Sequence, residues 1–382
     1  MEPRKIALLT PSVRLLGARR SLLALAKALD TSRFVPIVVC PRRGDLEEEL
    51  RKAGIATHIQ ALPPWRKAKS WLMIPFHVRR LRQWARDLDI RLTHAGEPHS
   101  LPYGLRVGRK LRIPTLSHVR LSVTERMIRN YDLAKADGIV AVSHAIAEPF
   151  RALLDDFEKR VRVIYNGLDV DEWRRAAGDA QTARREIRRQ LGLAPDAFLV
   201  GHLGLISRRK QQHLLVEAVK CIAARREDCH FLIVGDPSPA EIEYGNAVAV
   251  AIERGGLTER ITSWPFRRDI EPVCAALDVN LLISSDEGFG RVAIEAGAVG
   301  VPTIGTRIGG IPEVIVEGET GLLVGVSDAE GLAAAIERLA ADAVLRRRLG
   351  EAARQRVERE FTIEVHTRRI MDLYEEVLEA PI

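Results

Sequence analysis

The segment Ser284-Ser-Asp-Glu-Gly-Phe-Gly-Arg-Val-Ala-Ile-Glu-Ala-Gly-Ala298 runs from an apolar stretch into a helical pattern and carries two carboxylates, Glu287 and Glu295, eight positions apart. Gly288 and Gly290, on either side of Phe289, leave backbone N–H groups open at the start of that helix. Such a terminus holds an anionic or hydroxyl-rich ligand. Glu295 is expected roughly two turns into the helix, where it can accept hydrogen bonds from ribose hydroxyls. The plain structural alternative is a tight turn with Glu295 on the surface. Metal chemistry finds no such support. Asp169-Val-Asp171 has the spacing of a carboxylate pair but stands at a domain junction, and no His-Glu-x-x-His or phosphate-loop motif is present.

The elements that must hold these groups alternate. In the first half, strands are expected at Lys5–Thr10, Val35–Cys40, Arg91–Ala95, Pro114–His118, Gly138–Val142 and Val161–Tyr165, with helices at Ser21–Leu29 and Leu46–Ala53. After the polar, arginine-rich stretch 171–190, read as a linker or capping helix, a second series follows. Its strands are Phe198–Leu203, Phe231–Val234, Ile261–Trp264, Val279–Ile283, Pro302–Gly305 and Gly321–Val324. Helices are expected at His213–Arg225 and Arg291–Val299, and a last one at Thr362–Leu378. Strands separated by helices make parallel sheets covered on both faces. The expected fold is α/β, with two Rossmann-like doubly wound domains and a ligand cleft between them. The divisions are 1–170, 171–361, and a helical tail 362–382 packing back toward the first domain.

The glutamate segment resembles the Glu-x7-Glu signature of retaining glycosyltransferases of family 4, which have the GT-B fold; Gly288 replaces the usual proline. Val301-Pro-Thr-Ile-Gly-Thr-Arg-Ile-Gly-Gly-Ile-Pro-Glu313 and Gly318-Glu-Thr-Gly-Leu-Leu-Val324 continue the likeness in order and spacing. Gly204-Leu-Ile-Ser-Arg-Arg-Lys-Gln211 is similar to the family's Gly-Arg-Leu-x-x-x-Lys-Gly loop, although the arginine after the glycine is Leu205 here. The resemblance implies that Lys210 supplies charge to a leaving diphosphate, with Arg208 or Arg209 standing in for the lost arginine. Glu287 would hold donor-sugar hydroxyls, Glu295 the ribose, and His118, at a strand end, the reaction centre. Gly17, in Leu16-Gly-Ala-Arg-Arg, matches a glycine near the phosphates or acceptor, or is simply a helix-entry glycine. His94 and His99 are candidates for the acceptor side. Gly235–Asp236 and Trp264–Arg268 are expected to build the base pocket, and Tyr165-Asn-Gly-Leu-Asp169 matches an interdomain hinge. GT-B enzymes generally use no metal, so no cofactor is expected beyond the nucleotide-sugar substrate.

The chain has 382 residues, 46% hydrophobic and 29% charged, an ordinary globular composition. Residues 1–170 carry 31 basic and 17 acidic side chains, a net of +14; the remainder, with 27 and 34, is at −7. Trp65–Arg86 holds seven of those basic residues, no acid, and three of the five tryptophans. That mixture suits an anionic lipid surface; no nucleic-acid recognition module accompanies it. The alternative is an ordinary surface helix with Leu81 and Trp84 toward the core. Four cysteines without a Cys-x-x-Cys pair, no secretory leader pattern and no apolar run long enough to span a bilayer point to a cytoplasmic protein, peripheral at the inner face of the membrane. The expected activity is hexosyl transfer, retaining and metal-independent, from a nucleotide sugar to a lipid-linked or cell-surface glycan of lipopolysaccharide or exopolysaccharide type. Rival readings are a GT-B phosphorylase or nucleotide-sugar epimerase, and a non-catalytic sugar-nucleotide scaffold.

Overall fold

The computed structural model of the chain describes residues 2–380; Met1, Pro381 and Ile382, which the sequence-derived ranges include, lie outside them. The chain forms two compact units. One comprises the residues up to Gly167 together with those from Ile363 onward, and the other is Leu168–Thr362.

The first unit is built on β1 (Arg4–Leu9), β2 (Phe34–Cys40), β3 (Ala56–Ile59), β4 (Ile90–Ala95), β5 (Thr115–Val119), β6 (Gly138–Ala141) and β7 (Val161–Val163). All pair in parallel, in the order β3-β2-β1-β4-β5-β6-β7. The order reverses beside β1, so the loops leaving β1 and β4 flank the switch point where doubly wound sheets bind ligands. One strand, β3, is absent from the sequence reading. It is a four-residue edge strand with no fully buried side chain, too short and too exposed for an apolar run to announce it.

The first helix covers Gly17–Ala28 rather than starting at Ser21, which puts Gly17 in its first turn. It buries Leu22, Leu25 and Ala26 into the same cluster as Ile370, Leu373 and Tyr374 of the last helix, Ile363–Glu379. Burial of a side chain of this size contributes about 1.5–3 kcal/mol, so the chain's final segment is an integral part of the first unit's core.

The second unit holds β8 (Phe198–Leu203), β9 (Cys229–Val234), β10 (Ile261–Trp264), β11 (Val279–Leu282), β12 (Thr303–Thr306) and β13 (Gly321–Val324). They run in parallel in the order β10-β9-β8-β11-β12-β13. Here the reversal falls between β8 and β11. The stretch 171–190 is not a linker. It forms two helices, Val170–Ala177 and Ala180–Gln190, within this unit. Arg188, 1% exposed, is buried because its guanidinium meets Asp278 at 2.6 Å and the carbonyls of Ala276 and Ala197 at 2.9 and 3.0 Å. Asp169 caps the first of the two helices, accepting from the Glu172 N–H at 2.8 Å, which is what the Asp169-Val-Asp171 spacing serves.

Candidate active site

Both loops at the switch point of the second sheet carry the residues singled out in the sequence. After β8 the chain runs through Gly204 to a short turn at Arg208–Lys210; after β11 it runs through Ser284–Gly290 into the helix Arg291–Ala298. Backbone bonds lock the loops together. The Ser285 N–H donates to the Arg209 carbonyl at 2.9 Å, and the buried His202 ring bonds the Lys210 carbonyl at 3.0 Å. Burial, with Lys210 nearby, lowers the His202 pKa to about 4, so a neutral imidazole donates that bond.

Lys210 and Glu287 meet inside this loop pair, Nζ to Oε2 at 2.5 Å, with both side chains 13% exposed. Arg209 reaches the same oxygen at 3.3 Å and donates to the Asp286 carbonyl at 2.8 Å. Burial opposes the Glu287 charge, but Lys210, Arg209 and the Phe289 N–H outweigh it and hold the carboxyl below its ordinary range. Arg208 turns away, its guanidinium 5.5 Å from the centre of the Tyr244 ring. Of the two arginines left open by the sequence, Arg209 is therefore the one at the carboxylate. Leu205, where the family motif has arginine, is 39% exposed.

Gly290 caps the helix at φ +95°, a left-handed conformation that excludes most side chains. Gly309, at φ +54°, lies so close to the Glu287 carbonyl that an added Cβ would sit 2.2 Å from it, and the neighbouring Gly310 N–H donates to that carbonyl at 2.9 Å. The Gly-Gly turn thus fixes the backbone from which Glu287 projects.

Glu295 lies one turn into its helix, not two: the helix starts at Arg291, as expected, and the four positions to Glu295 make a single turn. Arg291 pairs with its Oε1 at 3.0 Å in an i,i+4 bridge. Oε2 makes no bond among the described residues, so one acceptor atom remains for a ligand hydroxyl. The ends of β9 and β10, read as the base pocket, are joined to each other and to the end of β8. The Gly204 N–H donates to Val234, and the Gly235 N–H to Trp264 at 3.0 Å.

In the first unit, His118 is fully buried one residue before the end of β5. Arg120 donates to its Nδ1 at 3.0 Å, which leaves the proton on Nε2, an atom that meets no acceptor among the described residues. Burial first, then Arg120, depresses its pKa well below the ordinary value, so the ring is a neutral hydrogen-bond donor. His94 sits within β4. It is buried, stacked on His118 at 5.3 Å, and its Nδ1 is bound to the Tyr374 hydroxyl at 2.7 Å. Its Nε2, like that of His118, meets no acceptor among the described residues. His99 packs edge-on against Tyr131 at 4.9 Å. Three charged residues escaped the sequence reading of the site. Arg120 stands two positions beyond the strand-end histidine. The Arg19–Glu97 pair, 3.1 Å apart, joins the first helix to the loop after β4 across the switch point. A carboxylate directly after an apolar strand was the available signal for Glu97.

Comparison with known proteins bears on the same residues. The description "Glycosyltransferase Family 4" matches residues 16–172, and "Glycosyl transferases group 1" matches residues 183–356. The chain belongs to the group 1 glycosyltransferases of family 4. Among relatives, the N-acetyl-alpha-D-glucosaminyl L-malate synthase of Bacillus anthracis is 28% identical over 301 residues, 76% of each chain. A D-inositol 3-phosphate glycosyltransferase of Corynebacterium urealyticum is also 28% identical, over 68% of this chain; the match spans only 61% of that protein. Anabaena Alr3699/HepE, solved with UDP and glucose, superposes with a TM-score of 0.86 at 25% identity over 97% of this chain and 99% of its own. The fold of this glycosyltransferase is GT-B, as the likeness of its two parallel-sheet domains to solved glycosyltransferases establishes. Among the described residues no group of three or more His, Cys, Asp or Glu side chains is arranged to hold a metal ion.

Proposed function

We propose that this glycosyltransferase moves a sugar from a uridine-diphosphate sugar to a hydroxyl acceptor with retention at the anomeric carbon. The observation that carries the reading is the Lys210–Glu287–Arg209 cluster at the switch point of the second sheet. The Anabaena structures with UDP and UDP-glucose support the choice of donor. The acceptor hydroxyl attacks on the face that the diphosphate leaves, and a departing phosphate oxygen takes its proton. Lys210 and Arg209 neutralise the charge that grows on the diphosphate. Glu287 orients the donor sugar, the open oxygen of Glu295 takes the ribose, and the Nε2–H of His118 donates to a donor-sugar oxygen. With cationic side chains and helix N–H groups in that role, the reaction needs no metal.

Incubation with a panel of nucleotide sugars, with and without lipid extract and with EDTA present, tests the reading. Nucleoside diphosphate release from a UDP-sugar, resistant to EDTA, is expected; silence with every donor would leave a binding scaffold. Glu295→Ala is expected to weaken donor binding about 10- to 100-fold, the worth of a charge-assisted bond of 1.5–3 kcal/mol, with turnover of bound donor little changed. Isothermal titration with the donor checks this, and affinity within twofold of the parent would remove the ribose role.

For the acceptor we favour a lipid-linked glycan at an anionic membrane surface. Trp71, Leu72, Met73 and Phe76 are 64%, 90%, 50% and 52% exposed just before and within the helix Ile74–Asp87, amid the basic run. Trp84 takes no part, because it stacks on His58 at 4.4 Å, and Leu81 is buried. No helix among the described residues is long and apolar enough to cross a membrane, so association would be peripheral. Sedimentation with anionic but not neutral liposomes is expected, reversed near 1 M salt and by changing Arg79, Arg80 and Arg82 to glutamate. Binding to neither liposome would favour a second reading, a small soluble anion as acceptor, which the names of the malate and inositol 3-phosphate relatives suggest.

A further inference from the structure

Beside the exposed apolar segment, the first unit contains a hollow of about 700 Å³ lined by Trp65, Trp71, Ile74 and Pro75 together with Arg66, Arg106 and Arg126. The walls are fixed. The Trp71 indole N–H donates to the Trp65 carbonyl at 3.2 Å, and Trp65 packs edge-on against Tyr103, whose hydroxyl donates to the Pro63 carbonyl at 2.7 Å. Arg106 lies 4.0 Å from the centre of the Trp65 ring, and Arg66 lies 5.0 Å from that of Tyr131. Several arginines of this unit pair with carboxylates, Arg19 with Glu97 and Arg129 with Glu125 among them. These three do not: among the described residues none of them forms an ion pair, and no acid lines the hollow.

Three arginines on one hollow concentrate positive charge there, and aromatic rings face only two of them, Arg66 and Arg106. A phosphate or diphosphate group answers all three, because guanidinium forks match phosphate oxygens in geometry and charge. The two indoles and the neighbouring Leu72 and Phe76 offer apolar surface to whatever the phosphate is joined to. We infer that this hollow is the acceptor's anion subsite, holding the phosphate or diphosphate ester of an amphiphilic acceptor. The inference rests on the transfer reading above for the word acceptor, but not for the binding itself.

The test is binding of farnesyl diphosphate, farnesol, inorganic pyrophosphate and inositol 1-phosphate, followed by quenching of tryptophan fluorescence. Saturating UDP is present throughout, so that diphosphates do not report on the Lys210 loop. Farnesyl diphosphate is expected to bind at least tenfold more tightly than farnesol, and the advantage should vanish in the Arg66→Gln, Arg126→Gln double variant. Both side chains are exposed, so the exchange leaves the core intact; circular dichroism verifies the fold. Inositol 1-phosphate binding as tightly as farnesyl diphosphate, with the same loss in the variant, would keep the phosphate subsite and assign it to a soluble ester. Equal affinity for farnesyl diphosphate and farnesol, or less than a twofold loss in the variant, would overturn the inference. Failure to turn over any UDP-sugar while the arginine-dependent binding persists would fault the transfer reading alone.

Discussion

Lys210→Ala is expected to lower turnover about 10²- to 10³-fold, the usual consequence of removing one donor aimed at charge that develops in the transition state. Donor affinity should change less, because the part of the charge that Lys210 answers most strongly develops only as the glycosidic bond breaks. The substitution also leaves Glu287 with Arg209, at 3.3 Å, as its remaining cationic partner. Its carboxyl, now opposed by burial with less to offset it, should titrate higher. The variant should therefore lose residual activity on mild acidification sooner than the parent does. Single-turnover measurement of nucleoside diphosphate release across pH separates the two effects. An unchanged rate would transfer the leaving-group role to Arg209 and the loop backbone.

Mild acid is the second large lever, acting on stability. Burial lowers His94 to about 3 and His202 to about 4, and pushes His118 well down. An unfolded chain protonates these rings near pH 6.5, whereas the folded one keeps them neutral. Their contribution is complete above that pH and is lost as pH falls from about 6.5 toward 4. The slope is about 1.4 kcal/mol per histidine for each pH unit. Glu97 works in the opposite sense over the lower part of the range, since burial raises its carboxyl despite Arg19. One carboxyl does not cancel three histidines. Urea unfolding midpoints at pH 7.5, 6 and 5 should fall steadily, and the His94→Phe variant should show a shallower decline. A flat profile would mean that the rings carry charge in the folded state.

The second unit was the more legible half in sequence. Its apolar strands are short and bounded by Gly, Pro or Asp, and the site there is local, so that one fifteen-residue segment carries both glutamates, both glycines and the helix that presents them. What stayed hidden depends on partners distant in the chain. Arg188 reads as one more solvated arginine until Asp278, ninety positions later, takes its charge into the core. His94 reads as a strand-end group until Tyr374, 280 positions away, encloses it. Periodicity carries no trace of such pairs, because both partners are polar. The start of the helix before Glu295 was legible at Arg291; only the depth of Glu295 was misjudged, since four positions at 3.6 residues per turn make one turn and not two.

The last helix gives the first unit an unusual history during synthesis. Its core lacks Ile370, Leu373 and Tyr374 until the ribosome has made the whole of Leu168–Thr362. At the usual 5–20 residues per second, the intervening stretch of about two hundred residues takes on the order of 10–40 s. Throughout that interval β4 and β5 stand with their histidines uncovered, while the second unit, continuous in sequence, has everything it needs. Translation order and the order in which the cores can be completed are therefore inverted in this chain: the half made first is finished last.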